Sequence, residues 1–310
     1  MMMKQSEAMQ EQKCSRLRIR VNMTKILSKM DQLRDQDSQS VLGQKKLNLI
    51  LDLDNTLLHA KRTKKLTLED KRRVRNDSCE LHKVEDGSKL VKLRPGVREF
   101  LKKASDMFEL SIYTMGTRDY AHTMADLLAL GSKQDGRSMF WKKIISREDC
   151  THEGQKGLDI VLSDRRVVLI VDDKEDVWEE SCRANVIKIA PYCFFEDEKR
   201  KREVDNINEI ITTDDELKRV LSTLSMIHQM FYEDNNGDGE YMKRDVRRVL
   251  EKVRDHEEQK KKDDEESSRR KRLEEAKARR LIIRFCAPVT KRCKRDAKMM
   301  TSVNNSPYLV

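Results

Sequence analysis

The sequence is poor in aromatic residues, which make up 5% of its 310 positions. Proteins that stack bases need repeated aromatic platforms, so neither a single-stranded nucleic-acid reader nor other direct nucleic-acid binding is expected. No window approaches the 18 or so uncharged apolar residues that a membrane helix requires. The first residues, MMMKQSEAMQEQK, hold no apolar run of the secretory kind, so an intracellular chain is expected. Seven cysteines are present, none in a CxxC spacing, which argues against a disulfide framework or a zinc site and for free thiols in a reducing compartment. Charge, by contrast, is abundant. Charged residues make up 39% of the chain against 37% hydrophobic, and the net charge is +10, a balance that suits acidic partners.

The apolar residues are unevenly spread, and this divides the chain. Residues 1–45 are expected to be a loosely ordered leader. RLRIRVNMTKILSKMDQL within it could instead form an amphipathic helix striped by Leu17, Val21, Ile26 and Leu27. Over 46–204 strands and helices alternate. LNLILDLD, ELSIYT, KKIIS, RRVVLIVDD and NVIKIA read as strands, with VREFLKKASDMF and RDYAHTMADLLAL as helices between them. Arg94-Pro95-Gly96 opens the first of these helices, with proline presetting its first turn. The fold class that follows is α/β, a parallel sheet with helices on both faces. Residues 61–90 interrupt the rhythm with charge and are expected to form a surface insertion, a hairpin or flap over the sheet edge. Residues 205–256 form a helical appendage, with Leu217, Val220, Leu221, Leu224, Ile227 and Phe231 at helical spacing. Residues 257–310 are expected to be a charged, mostly disordered tail.

Ligands of parallel sheets bind beyond the carboxyl ends of the strands. There the sequence places Asp52 and Asp54 after one apolar run, Thr114 after a second, and Asp172 with Asp173 after a third. Four carboxylates at one edge repel one another unless a cation joins them, and hard oxygen ligands suit Mg²⁺. Asp52 can attack phosphorus, Asp54 on the same face can move a proton, and Thr114 can hold a phosphoryl oxygen. A lysine is needed to neutralise charge in the transition state.

DLDNTLL matches the DxDxT signature of the haloacid-dehalogenase (HAD) superfamily. With KLRPGVREFL, IYTMGTRDYA, QKGLDIVL and VLIVDDKEDVW, residues 46 to about 250 resemble its FCP/SCP branch. That branch comprises phosphatases of the RNA polymerase II C-terminal domain, and the likeness is nearest to the FCP type of plants. The resemblance implies a HAD-like Rossmannoid domain over 46–204. It also implies a nuclear enzyme that removes phosphate from serines of the polymerase heptad repeats, using Mg²⁺ and an aspartyl-phosphate intermediate. The phosphorylated C-terminal domain would be its partner. Asp52 becomes nucleophile and metal ligand, Asp54 the general acid/base with a metal-binding carbonyl, and Thr114 the second-motif hydroxyl. Lys156 becomes the phosphate-stabilising cation, and Asp172 and Asp173 support and bind the metal. Arg94 and Thr56 become phosphate or substrate contacts. Asn55 stands where plant relatives often carry histidine, a change expected to matter little for activity. A complete BRCT domain, usual at the end of the FCP type, is not expected after Glu257. Another phosphoprotein or a small phosphate ester as substrate, and a non-catalytic nuclear scaffold, remain the alternatives.

Other signals are weaker. Asp234, Asn236, Asp238 and Gly239 fit the first positions of a calcium loop over 234–245, but Asp245 replaces the glutamate at its end. SSRRKR at 267–272 reads equally as an import signal or a solvated helix. His122, His152 and His228 have no metal-ligand spacing. Trp141 and Trp178 are expected in the core, and the latter could also flank a substrate groove.

Overall fold

The computed structural model describes residues 24–77, 79–129, 141–196, 214–233 and 240–300, with side chains placed to Arg279. A central sheet is built from β1 (Leu47–Leu51), β5 (Phe108–Tyr113), β6 (Trp141–Ile145), β7 (Val168–Asp172) and β8 (Val186–Lys188). Its order is β6-β5-β1-β7-β8, and every pairing is parallel. Strands buried on both faces are mostly apolar, and β1 and β7 bury all five residues each, with Asn48 and Asp172 the polar exceptions.

The side-chain alternation of a strand assigns those residues to two cores. Leu47, Leu49, Leu51, Leu169 and Val171 face one core, shared with α3 (Val97–Met107), α4 (Arg118–Leu128) and α5 (Glu216–Tyr232). Ile50, Val168 and Ile170 face the other, closed by Leu158, Val161, Trp178 and Cys182 from loops and short 3₁₀ turns. Gly96, at φ 74°, makes the left-handed turn that starts α3, a conformation costly for other residues.

The insertion is more than a hairpin. β2 (Leu58–Arg62), β3 (Leu81–Val84) and β4 (Lys89–Leu93) form an antiparallel sheet of order β2-β4-β3, and α2 (Leu68–Asn76) lies between β2 and β3. α2 starts on a reciprocal cap: the Thr67 hydroxyl accepts from the Asp70 amide while Asp70 accepts from the Thr67 amide. Leu90, Tyr192, Phe194 and Phe195 give this sheet its own small core.

Two segments differ from the expectation. Residues 24–43 form a helix, α1, where a loose leader was expected. Ile26 and Leu27 of the expected stripe lie exposed on it, while Val41 and Leu42 at its far end are buried; Leu17 and Val21 lie outside the described residues. Arg34 ties the helix to the domain by donating to the Asp159 carbonyl at 2.9 Å. The second is α6 (Val246–Met300), a helix where a mostly disordered tail was expected. Val246, Leu250 and Val253 join the first core, and from Arg254 the helix belongs to a separate compact unit. There Glu258–Lys262 and Glu266–Arg270 pair at i,i+4, the kind of contact that supports a helix without an apolar face. SSRRKR lies on this helix, exposed. The first calcium-loop positions lie outside the described residues, and the Asp245 carboxylate is bound by Arg247 at 2.9 Å and 2.6 Å. No helix among the described residues is long and apolar enough to cross a membrane.

Candidate active site

Asp52 follows β1 directly, and its amide donates to the Val171 carbonyl at 3.0 Å, adding a last rung to the ladder with β7. The chain then turns sharply. The amides of Leu57 and Leu58 return to the Leu53 carbonyl, and Asn55 sits at φ 67°, a left-handed conformation that asparagine tolerates better than most residues. Its side chain donates to the Tyr192 carbonyl at 2.9 Å. This turn sets Asp52 and Asp54 two residues apart at the sheet edge. Thr114 reaches the same edge from β5, because Leu51 pairs with Ile112 in the parallel register. It is buried, and its hydroxyl accepts from the Gly116 amide at 3.0 Å.

Lys156 is the buried cation of the site. Its Nζ donates to Asp52 Oδ1 and to Asp172 Oδ2, each at 2.7 Å. Its backbone is pinned by bonds from its own amide to the Val177 carbonyl and from the Glu179 amide to its carbonyl. The ring centroids of Trp178 and Tyr113 lie 5.3 Å and 5.7 Å from Nζ, which walls it from water. Trp178 is fully buried, so it has no place in a groove; its Nε1 donates to Asp172 Oδ2 at 2.9 Å. Spacing alone gives no hint of that bond.

Asp52, Asp172 and Asp173 each present a carboxylate oxygen within 4.8 Å of the others. The electrostatic consequence is large. Burial, with Asp172 and Asp54 adding repulsion, outweighs the attraction of Lys156 and pushes Asp52 up to about 7. Burial also raises Asp54, against the hydroxyl of Tyr120, which donates to its Oδ1 at 2.7 Å. Burial alone would lower Lys156, but the carboxylates of Asp52 and Asp172 prevail and hold it above its ordinary value. Three clustered carboxylates and one ammonium leave excess negative charge of all-oxygen character. That donor set fits a hard divalent cation such as Mg²⁺.

Two residues expected as substrate contacts also brace the fold. Arg94 is buried and forks onto Asp214, with Nε to Oδ2 at 2.8 Å and Nη2 to Oδ1 at 3.0 Å. Its remaining reach is spent on the carbonyls of Thr56 and Ala190 at 3.0 Å each. Four of the five guanidinium hydrogens are thus committed within the fold, which gives Arg94 a bracing role that the sequence did not suggest. Thr56 is fully buried, and its hydroxyl accepts from the Asp173 amide at 3.2 Å, tying the turn after β1 to the end of β7.

Residues 47–230 match the family model described as NLI interacting factor-like phosphatase. The chain belongs to this phosphatase family. Within it, the chain is 37% identical over 241 residues to the RNA polymerase II C-terminal domain phosphatase-like 4 of Arabidopsis thaliana, covering 73% of this chain and 53% of that protein. It is 33% identical over 186 residues to an RNA polymerase II C-terminal domain phosphatase of Schizosaccharomyces pombe, covering 56% of this chain and 25% of that protein. The chain thus spans about half of the first relative and a quarter of the second. A solved structure of a fission yeast RNA polymerase II CTD phosphatase bound to beryllium fluoride superposes with a TM-score of 0.53 at 23% identity, over 71% of this chain and 74% of that one. That likeness shows the HAD-like fold.

Proposed function

We propose that the chain is a Mg²⁺-dependent nuclear phosphatase that removes phosphate from serines in the heptad repeats of the RNA polymerase II C-terminal domain. The observation that carries the chemistry is the clustering of Asp52, Asp172 and Asp173, the first two bound by Lys156, with Asp54 two residues from Asp52. The substrate rests on the relatives, which are named for that domain.

Asp52, Asp172 and Asp173, with the carbonyl of Asp54, would hold the metal, which when bound screens the carboxylates and draws charge from phosphoryl oxygens. Asp52 attacks phosphorus and forms an Asp52–O–P bond as the bond from phosphorus to the serine oxygen breaks. Asp54, whose hold on its proton is strengthened by burial, gives that proton to the leaving oxygen. Water then attacks the aspartyl phosphate while Asp54 takes a proton back, which frees Asp52 and inorganic phosphate. Lys156 and the Thr114 hydroxyl offset charge on the phosphoryl oxygens. The fixed, dry setting of Lys156 gives that offset its strength.

The test is release of inorganic phosphate from heptad peptides phosphorylated at single serines, with and without Mg²⁺. The wild type should release phosphate only with the metal, and Asp52→Asn should lose at least about a thousandfold in kcat. An inert wild type would favour a scaffold. Preference for small phosphate esters over every heptad peptide would move the substrate elsewhere.

A further inference from the structure

Tyr120 and Lys89 touch this site without any role in the reaction above. The Tyr120 hydroxyl donates to Asp54 Oδ1 at 2.7 Å, and the residue is 6% exposed. Its seat is specific. α4 opens with the Thr117 hydroxyl accepting the Tyr120 amide, and a Cβ at Gly116 would lie 2.5 Å from Tyr120 Cδ1. Glycine is therefore required for the ring to lie where it does. Over that ring, 4.1 Å from its centroid, stands the ammonium of Lys89, the first residue of β4. Lys89 is itself held by Glu85 Oε1 at 2.6 Å, from a turn in which Glu85, Asp86 and Gly87 all adopt positive φ (52°, 54° and 82°). The left-handed conformation is costly at Glu85 and Asp86, though not at Gly87, and here it folds the tip of the insertion back so that Glu85 grips Lys89.

We propose that Lys89 and Tyr120 are positioning residues for the general acid, so that the insertion serves catalysis on esters with poor leaving groups. This rests on the reaction proposed above. A protonated carboxyl accepts best at its carbonyl oxygen and donates from its hydroxyl. With Tyr120 donating to Oδ1, the proton resides on Oδ2. The group is then held with that O–H free for the leaving oxygen. As the bond between phosphorus and the serine oxygen breaks, its electron pair goes to the oxygen. Oδ2 supplies the proton, and the resulting Asp54 carboxylate is stabilised by the same Tyr120 bond. A cation over the ring draws electron density from the phenol and strengthens it as a donor. An alkoxide leaving group such as serine needs this proton; a p-nitrophenolate leaves readily without it.

The experiment compares kcat and KM of the full chain for a phosphoserine heptad peptide and for p-nitrophenyl phosphate, both with Mg²⁺. Tyr120→Phe removes one oxygen and keeps the ring. It should lower kcat on the peptide roughly 10- to 100-fold, the scale of one hydrogen bond to a charged group, with KM little changed. The loss on p-nitrophenyl phosphate should be several times smaller. Lys89→Gln should show the same bias at about threefold, and Lys89→Arg, which restores a cation over the ring, should recover the peptide rate. Equal losses on both esters, a change in KM alone, or no loss would overturn the role of Tyr120 and Lys89 while leaving the reaction standing. A wild type inert toward both esters would overturn the reaction itself.

Discussion

Two buried lysine–aspartate clusters in this domain have opposite electrostatic character. In the insertion, Asp70 is fully buried and meets Lys61 Nζ at 2.6 Å, the Thr67 amide at 2.9 Å and the Glu196 amide at 2.7 Å. Burial works against its charge, and these donors outweigh burial, holding the carboxyl below its ordinary value. At the sheet edge, Lys156 serves both Asp52 and Asp172 while Asp173 and Asp54 crowd in, and Asp52 rises to about 7. The first cluster is closed, with a donor for every demand. The second is short of positive charge, and that shortage marks a place for an ion and a phosphate. Arg94 with Asp214 belongs to the closed kind, which is why it reads as architecture despite its place in the LRPG motif.

The largest expected effect follows from removing the cation of the open cluster. Lys156→Met should cost at least about a thousandfold in kcat, because the charge it offsets in the transition state would go unanswered. It should also lower the melting temperature, since Asp52 and Asp172 then repel with nothing between them. A variant that keeps its rate would show that the comparison has no catalytic meaning. Next in size is Arg94→Met, which strands Asp214 in a buried setting and should destabilise the fold by about 3 kcal/mol in chemical denaturation. KM for phosphopeptide should stay unchanged. A raised KM with unaltered stability would return Arg94 to the substrate.

The two clusters were not equally legible in the sequence. β1 and β7 could be read because strands buried on both faces are continuous apolar runs, and the aspartates at their ends had no cheap structural explanation. Lys156 could be placed only through the motif resemblance, since one lysine in QKGLD looks like any surface lysine until the fold buries it. The bracing role of Arg94 was hidden for the opposite reason: its partner lies 120 positions away, and local sequence shows a cation but not the carboxylate that takes it. Tyr120 is likewise separated from Asp54 by 66 positions. In the insertion, charge obscured α2, although Thr67 and Asp70 stand at the spacing of a helix cap. In α6 the absence of an apolar face beyond Val253 suggested disorder; exposed ion pairs such as Glu258–Lys262 and Glu266–Arg270 lend that part of the helix local support.

The subtlest way to sharpen the comparison is the pH dependence of stability in metal-free protein. Asp52 binds its proton more tightly when folded than at its ordinary value of 3.8. Its contribution to stability is thus fully present below 3.8 and is lost as pH rises toward 7. Asp70 is the reverse. Its carboxyl is lowered from 3.8, so its contribution is present above that value and is lost as pH falls through its native one. Urea midpoints measured across this range for wild type, Asp52→Asn and Asp70→Asn should separate the two. Asp52→Asn should become the more stable protein relative to wild type as pH rises from 4 to 7, and Mg²⁺ should narrow that gap by binding only the wild-type carboxylate well. Asp70→Asn should be weaker than wild type by about 1–3 kcal/mol at neutral pH, with the deficit shrinking only in strong acid. Parallel pH profiles for the two variants would mean that the sheet edge is as well neutralised as the insertion, and the distinction between an open and a closed cluster would fall.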